Sequence, residues 1–168
     1  MAEHKLTADD IRLLYDRHGA ALVLYACSFS PGVAQAEDAV HQVFLRLLRV
    51  ETKTPDAPLA YLYRAVRNTA LNARRNGLRE ASLDSQPALL EHRSGNRELA
   101  FALQSALAGL PEEQREVVIM RIWSGMTLEE ISAATKAPLN TVASRYRYAL
   151  EKLRQRLQPY RGLEASEE

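Results

Sequence analysis

The sequence predicts an all-α protein of two small helical domains joined by a linker, the C-terminal one a helix-turn-helix domain. Three observations support this. Apolar residues recur at three- and four-residue spacing through nearly the whole chain. Residues 77–96 interrupt that spacing with Gly77, Ser82, Asp84, Ser85, Pro87, Ser94 and Gly95, the composition of a connecting segment. Beyond them, a short capped helix, a tight turn and a longer basic helix follow one another, the order of a helix-turn-helix. The expected layout is therefore a domain at 1–76, a linker at 77–96, a second domain at 97–160 and a tail at 161–168.

Ile11, Leu14, Tyr15, His18, Leu22 and Tyr25 form the first apolar stripe, and Ser30-Pro31-Gly32 ends it. Val40, Val43, Phe44, Leu47 and Leu48 form the second. Residues 51–58 are polar and hold two prolines, so they read as a loop. Leu59, Leu62, Tyr63, Val66, Ala70 and Ala73 make the third stripe, while Arg64, Asn68, Asn72 and Arg75 fall on a different face. Three helices with one stripe each can bury those stripes against one another, as in a bundle.

Helical spacing resumes with Leu99, Leu103, Ala106, Leu107 and Leu110. Pro111 stands where the next helix should begin, followed by Glu112 and Glu113. Proline needs no N–H partner there, and early carboxylates favour the positive end of a helix. That helix should run to about Trp123, before Ser124-Gly125. Thr127 and Glu130 have the spacing of a capping box opening a short helix that ends near Thr135. Lys136-Ala137-Pro138-Leu139 is the expected turn, and Asn140 the expected cap of the last helix. Val142, Tyr146, Ala149, Leu150, Leu153 and Leu157 make that helix's buried side.

The net charge of +1 conceals a strong segregation. Residues 1–58 sum to −2, residues 64–79 to +5 with no acid, residues 80–109 to −2, residues 110–135 to −3, residues 143–161 to +5 and residues 162–168 to −3. Two basic blocks on a near-neutral chain point to two anionic contacts, with nucleic acid the leading partner. Solvated basic helix faces would give the same pattern, so charge alone does not decide.

Other classes find little support. No apolar run approaches the roughly 20 residues that span a bilayer, so no membrane insertion is expected. The polar start MAEHKLTADD is unlike a signal peptide, and the single Cys27 forms no intramolecular disulfide, which together point to the cytoplasm. His4, His18, His41 and His92 lack metal-ligand spacing, and no glycine-rich phosphate loop is present. The sequence predicts no cofactor, no metal site and no enzyme. Cys27 reads as a buried, inert thiol.

The second helix of a helix-turn-helix enters the major groove with its N-terminal residues on base edges. Here Asn140, Thr141, Ala143, Ser144, Arg145, Arg147 and Tyr148 occupy those positions. Arginine can bind guanine bidentately, asparagine prefers adenine, and hydroxyls suit phosphates or bases. Lys152, Arg154 and Arg156 continue the basic face toward phosphates. A capped amphipathic hairpin without DNA contact is the plainer reading of the same residues. The other basic block presents Arg64, Arg67, Asn68, Asn72, Arg74 and Arg75, with Tyr61 and Tyr63 at its start. Aromatic side chains beside arginines suit unstacked bases. Tyr63 lies on the apolar stripe and reads as core; Tyr61 is the better candidate for a base.

With these residues in view, the chain resembles the sigma-70 family. Residues 36–48, AEDAVHQVFLRLL, look like its core-polymerase-binding helix, and residues 64–75, RAVRNTALNARR, its promoter-melting helix. Residues 110–118, LPEEQREVV, look like the opening of its C-terminal DNA-binding domain, and 127–149 its helix-turn-helix. Each match is weak alone; four in order are specific, and they cover most of residues 10–158. Two domains and a short linker are similar to the extracytoplasmic-function (ECF) class.

The resemblance implies a sigma factor that binds core RNA polymerase and directs it to promoter DNA. It assigns polymerase docking to Asp38, Gln42, Phe44 and Arg46, although Phe44 also suits the bundle interior. It assigns capture of a flipped minus-10 base to the loop 51–58. The melted strand falls to Tyr61, Arg64, Arg67, Asn68, Arg74 and Arg75. The minus-35 element falls to Asn140, Thr141, Ser144, Arg145, Arg147 and Tyr148. An anti-sigma factor is a common further partner in this class. The chain departs from the family at His41-Gln42, often Gln-Glu, and at Asn72, usually aspartate. Lys136 and Asn140 replace two glycines, and Tyr148 replaces an arginine. A stand-alone helix-turn-helix regulator would explain residues 97–160 but not the helices at 36–48 and 59–76. A helical adaptor mimicking a sigma factor would not need both arginine sets.

Overall fold

Every regular element is helical among the residues that the structure, a computed structural model, describes: 5–49, 55–77 and 97–162. The expected linker apart from Gly77, residues 51–54 of the expected loop and residues 163–168 of the tail lie outside them.

The first helix, α1 (Ala8–Ala26), opens on a capping box. The Thr7 hydroxyl accepts from the Asp10 N–H at 3.1 Å, and the Asp10 carboxylate accepts from the Thr7 N–H at 2.8 Å. The second helix, α2 (Val33–Arg49), buries Ala36, Ala39, Val40, Val43 and Phe44. Leu47 continues the expected stripe, packed against the core, but Leu48 does not: it is 54% exposed and shares an outward edge with Leu45, three residues earlier. The third, α3 (Pro58–Asn76), starts on a proline, which loses no bond there, and ends on Arg74 and Arg75, which complement the negative end of the helix. The expected bundle is present, with α1 packed on both α2 and α3.

The C-terminal half begins with α4 (Arg97–Ala108) and α5 (Glu112–Val118), which continues as a π-helical turn over Ile119–Trp123. Gly125, in the left-handed region at φ 65°, lets the chain reverse. Then α6 (Leu128–Thr135) opens on the expected capping box, with Thr127 and Glu130 bonding each other's backbone N–H at 3.1 and 2.8 Å. The turn into α7 (Leu139–Leu157) is held by the Ser132 hydroxyl, which donates to the Ala137 carbonyl at 2.6 Å. Lys136 adopts a left-handed conformation (φ 54°, ψ 33°) at the end of α6, the kind of position that favours glycine. Asn140 does not cap α7, contrary to expectation. Pro138 takes the cap position, and Asn140 lies inside the first turn. Val142 and Ala149 face inward as expected, with Tyr146 packed against the core.

One core runs through both halves. Tyr25, Phe29 and Tyr63 stack edge to face from the N-terminal side, with Tyr25 centroids 5.1 and 4.9 Å from the other two rings. They share a cluster with Val117, Val118, Ile119 and Met120. The π turn packs on α1, and α6 packs on α3.

The capping box on α6 gives a direct test. Replacing Thr127 by alanine leaves the Glu130 N–H without its acceptor and should cost about 1 kcal/mol of stability. Chemical denaturation should show a lower midpoint with an unchanged slope.

Candidate nucleic-acid interface

The two arginine sets stand on different helices, and their surroundings differ. Along α3, Arg64, Asn68 and Asn72 project on one exposed face at four-residue spacing, while Tyr61 is half-buried at the helix start. With Gln42 and Arg46 of α2 they line an open groove of about 720 Å³, which Lys136 from the α6–α7 turn also borders. Two residues assigned to polymerase docking and three assigned to the minus-10 strand thus border one groove. Arg74 and Arg75 are exposed at the end of α3, outside that groove. Asp38, Gln42 and Arg46 are exposed at four-residue spacing on α2, making one face. Phe44 is not on it. At 5% exposure it packs edge to face on Tyr15 of α1, with centroids 5.1 Å apart, so it shapes the bundle and offers no free surface.

Arg67 is set apart from its neighbours on α3. Its guanidinium lies over the Phe29 ring, 5.5 Å from the centroid, and its Nε is buried without a hydrogen-bond partner. Its outer nitrogen reaches Glu112 of α5 at 3.9 Å. On α7, Arg145 reaches Glu113 at 3.5 Å. These two pairs lie along a second cleft of about 460 Å³, lined also by Arg64, Asn68, Glu116, Lys136 and Thr141. The cleft brings together parts of both predicted DNA faces.

Glu116 lies at the base of this cleft and is buried. Its carboxylate accepts a hydrogen bond from the Tyr25 hydroxyl on α1, which ties the two halves together. Burial raises the carboxyl above its ordinary range, while the Tyr25 hydrogen bond and the charges of Arg67 and Arg145 offset part of the rise. Burial, followed by the Glu116 charge, pushes the Tyr25 hydroxyl well above its ordinary range, so it stays a donor. A second bridge joins the hydroxyls of Tyr63 on α3 and Ser124 beyond the π turn.

The rest of the α7 candidates divide by exposure. Asn140, Arg147 and Tyr148 are exposed, with the Arg147 guanidinium 5.1 Å from the Tyr148 ring centroid. Thr141 and Ser144 are half-buried. Arg156, expected on the phosphate side, instead donates to the Ala106 carbonyl near the end of α4 at 3.0 Å. A Cβ on Gly109 would fall 2.1 Å from that guanidinium, so the glycine leaves it room.

Sequence reasoning missed the roles of Glu112, Glu113 and Glu116. Glu112 and Glu113 read from the sequence only as acids early in a helix, and nothing in periodicity reveals a partner some 30 to 90 residues away. No cluster of three or more potential metal ligands occurs among the described residues.

Residues 14–80 match the family model described as Sigma-70 region 2, and residues 106–155 match that of Sigma-70, region 4. The chain is 31% identical over 157 residues to the ECF RNA polymerase sigma factor SigL of Mycobacterium tuberculosis, spanning 88% of this chain and 89% of that protein. It is 30% identical over 167 residues to the ECF RNA polymerase sigma factor SigE of Mycolicibacterium smegmatis, spanning 92% and 62%. The fold is similar to that of the sigma factor RpoE from Bartonella quintana, solved in complex with the anti-sigma factor NepR. The TM-score is 0.68 at 24% identity, over 90% of this chain and 98% of that one.

The raised Glu116 carboxyl makes the fold depend on pH. The folded state holds that proton more tightly than the unfolded chain, so its stability contribution rises as pH falls from neutral toward the ordinary carboxylate range. Glu116→Gln keeps an acceptor for Tyr25 and removes the charge. Its melting temperature should exceed the parent's most at pH 7.5, with the gap closing toward pH 5. A gap independent of pH would show that Glu116 does not titrate in this range.

Proposed function

Because the chain belongs to the sigma-70 family, in its ECF class, it is a sigma factor directing transcription initiation, and we propose the following division of labour among its helices. The α2 face of Asp38, Gln42 and Arg46 docks on core RNA polymerase. The groove along α3 receives the melted minus-10 strand, with Tyr61 against a base, Arg64 and Asn68 on the strand, and Arg74 and Arg75 extending the positive track. Arg67 joins them once it is released from Glu112. On α7, Asn140, Thr141, Ser144, Arg145, Arg147 and Tyr148 read the minus-35 element in the major groove. The functional domains follow 1–76 and 97–160.

The observation that carries this reading is the separation of the two basic faces onto helices from the two family-matched segments, beside an exposed α2 face with a different mix of charges. Phosphate contacts supply affinity and salt dependence, and base contacts supply choice. Docking on polymerase fixes the spacing of the two faces, so binding at one promoter element raises the effective concentration at the other. The protein contributes recognition and strand capture; the polymerase carries out the chemistry. Its work lies in the cytoplasm with the polymerase, and no described helix is long and apolar enough to cross a membrane. An anti-sigma factor is a further partner in this reading, in keeping with the NepR complex of its structural relative.

The test is transcription in vitro with purified core RNA polymerase on pooled genomic DNA, with and without the protein. Discrete new 5′ ends that require the protein support the reading, and their alignment yields both promoter elements. Duplex binding by the protein alone without new transcripts would favour a stand-alone regulator. Within a recovered promoter, Arg145→Ala should lower discrimination at one minus-35 base pair by about 1–3 kcal/mol if Arg145 contacts that base bidentately. An equal loss on every sequence would place Arg145 on phosphate instead.

A further inference from the structure

We infer that the crevice bounded by the end of α1, the start of α2, α4 and α5 is a binding site for a small organic acid, a monocarboxylate with a short apolar body. None of the residues assigned above to DNA or to polymerase lines it, so it stands apart from the functional reading. Three observations carry it.

The first is its size and its walls. The crevice measures about 240 Å³. A cavity of about 150 Å³ holds benzene, so this one has room for roughly eight to ten non-hydrogen atoms. Leu24 of α1, Val33 of α2, Leu107 of α4 and Ile119 of the π turn give it apolar walls. Pro31, Ser105 and Ala108 are exposed and also line it, so it opens to solvent. An apolar recess left unfilled forgoes the contacts that a close-packed interior makes.

The second is a polar pair at the same crevice. Five buried side-chain nitrogen or oxygen atoms lack a hydrogen-bond partner among the described residues. Two of them, Ser28 Oγ and Arg115 Nε, belong to residues that line this one crevice. Buried polar atoms are nearly always paired, so two unpaired ones together mark a partner that the chain does not supply. Arginine only donates, so that partner has to accept. A carboxylate accepts from a guanidinium and a hydroxyl at once, in charge-assisted bonds. Neither atom touches solvent, so each side chain turns toward the crevice to meet its acceptor.

The third is the electrostatic setting. Ser30 to Val33 lead into α2 along the crevice wall. The positive end of a 17-residue helix with no acid in its first turn therefore stands beside the same space. Burial lowers the Arg115 pKa, and the charge of Glu112, on its own helix, offsets only part of that. Glu112 does not line the crevice, nor does Glu37 of α2, whose charge reaches Cys27. A guanidinium and a helix start with no carboxylate at the wall favour an anion. The apolar walls disfavour a strongly hydrated one such as inorganic phosphate.

The experiment uses the full-length protein, with hexanoate as probe and Cys27 as reporter. Cys27 lines the crevice and is the one cysteine of the chain. Burial, followed by the Glu37 charge, pushes its thiol up to about 11, so iodoacetamide labels it slowly and the rate follows its access. A ligand of hexanoate's size should bind with a Kd of about 1 mM. At about 10 mM and constant ionic strength, hexanoate should slow the labelling roughly tenfold. Acetate, which lacks the body, and 1-hexanol, which lacks the charge, should each slow it less than about twofold. Arg115→Met keeps an unbranched side chain and removes the charge. Its labelling without ligand should match the parent's, and hexanoate should no longer slow it. Circular dichroism checks its helices; if they are lost, the three probes on the parent decide alone. Labelling of the parent unaffected by hexanoate would overturn the site. Equal slowing by 1-hexanol would reduce the crevice to an apolar recess, and equal slowing by acetate to unspecific anion binding; either result overturns the proposal. So does full protection of a folded Arg115→Met by hexanoate, which would leave the guanidinium no part in binding.

Discussion

Val117, Val118, Ile119 and Met120 are each at most 1% exposed, and four buried residues in a row cover every side of a helical turn. A helix apolar on one stripe needs one neighbour; a helix apolar all round has to be enclosed. That requirement organises the molecule. The bundle of α1, α2 and α3 has its own stripes to bury, and α5 and α6 are short. Placing the continuation of α5 against α1, with α7 packed on α5, encloses the turn and joins the two halves through one core. The tyrosines at the seam follow from the same geometry. Tyr25 and Tyr63 contribute apolar rings to the core and direct their hydroxyls to Glu116 and Ser124 of the other half.

The polar side of the seam is set by that arrangement. Glu116 immediately precedes the buried run, so it is carried into the interior with it. Glu112 and Glu113, one turn earlier, stay at the surface and face the arginines of α3 and α7. Apolar packing thus decides where the acids go, and with them which arginines are paired. Ion pairs as exposed as these contribute little to stability, generally less than about 1 kcal/mol.

Much of the fold was legible because its signals are local. The box of Thr127 and Glu130 marked the start of α6, and the spacing of Val142 and Ala149 marked the inner face of α7, without reference to the rest of the chain. The matching box of Thr7 and Asp10 carries a weaker signal, because aspartate stands in place of the longer glutamate or glutamine. Asn140 was expected as a cap on composition, but Pro138 already supplies the extended backbone that precedes a helix. Leu48 was counted with the buried stripe although the bundle stops short of it. In the candidate site, the basic faces could be read from charge and spacing. Their sharing of a cleft with α5 could not, since periodicity says which face is buried and not which distant helix buries it.

The π turn at Ile119–Trp123 carries one more consequence. Its wider coil takes up about one residue more than an α-helical turn, so the extra residue is absorbed where it stands. Ser124 and the whole α6–α7 pair lie downstream of that coil. The turn can therefore hold one residue more than a regular helix in the middle of the core without re-aiming the reading helix.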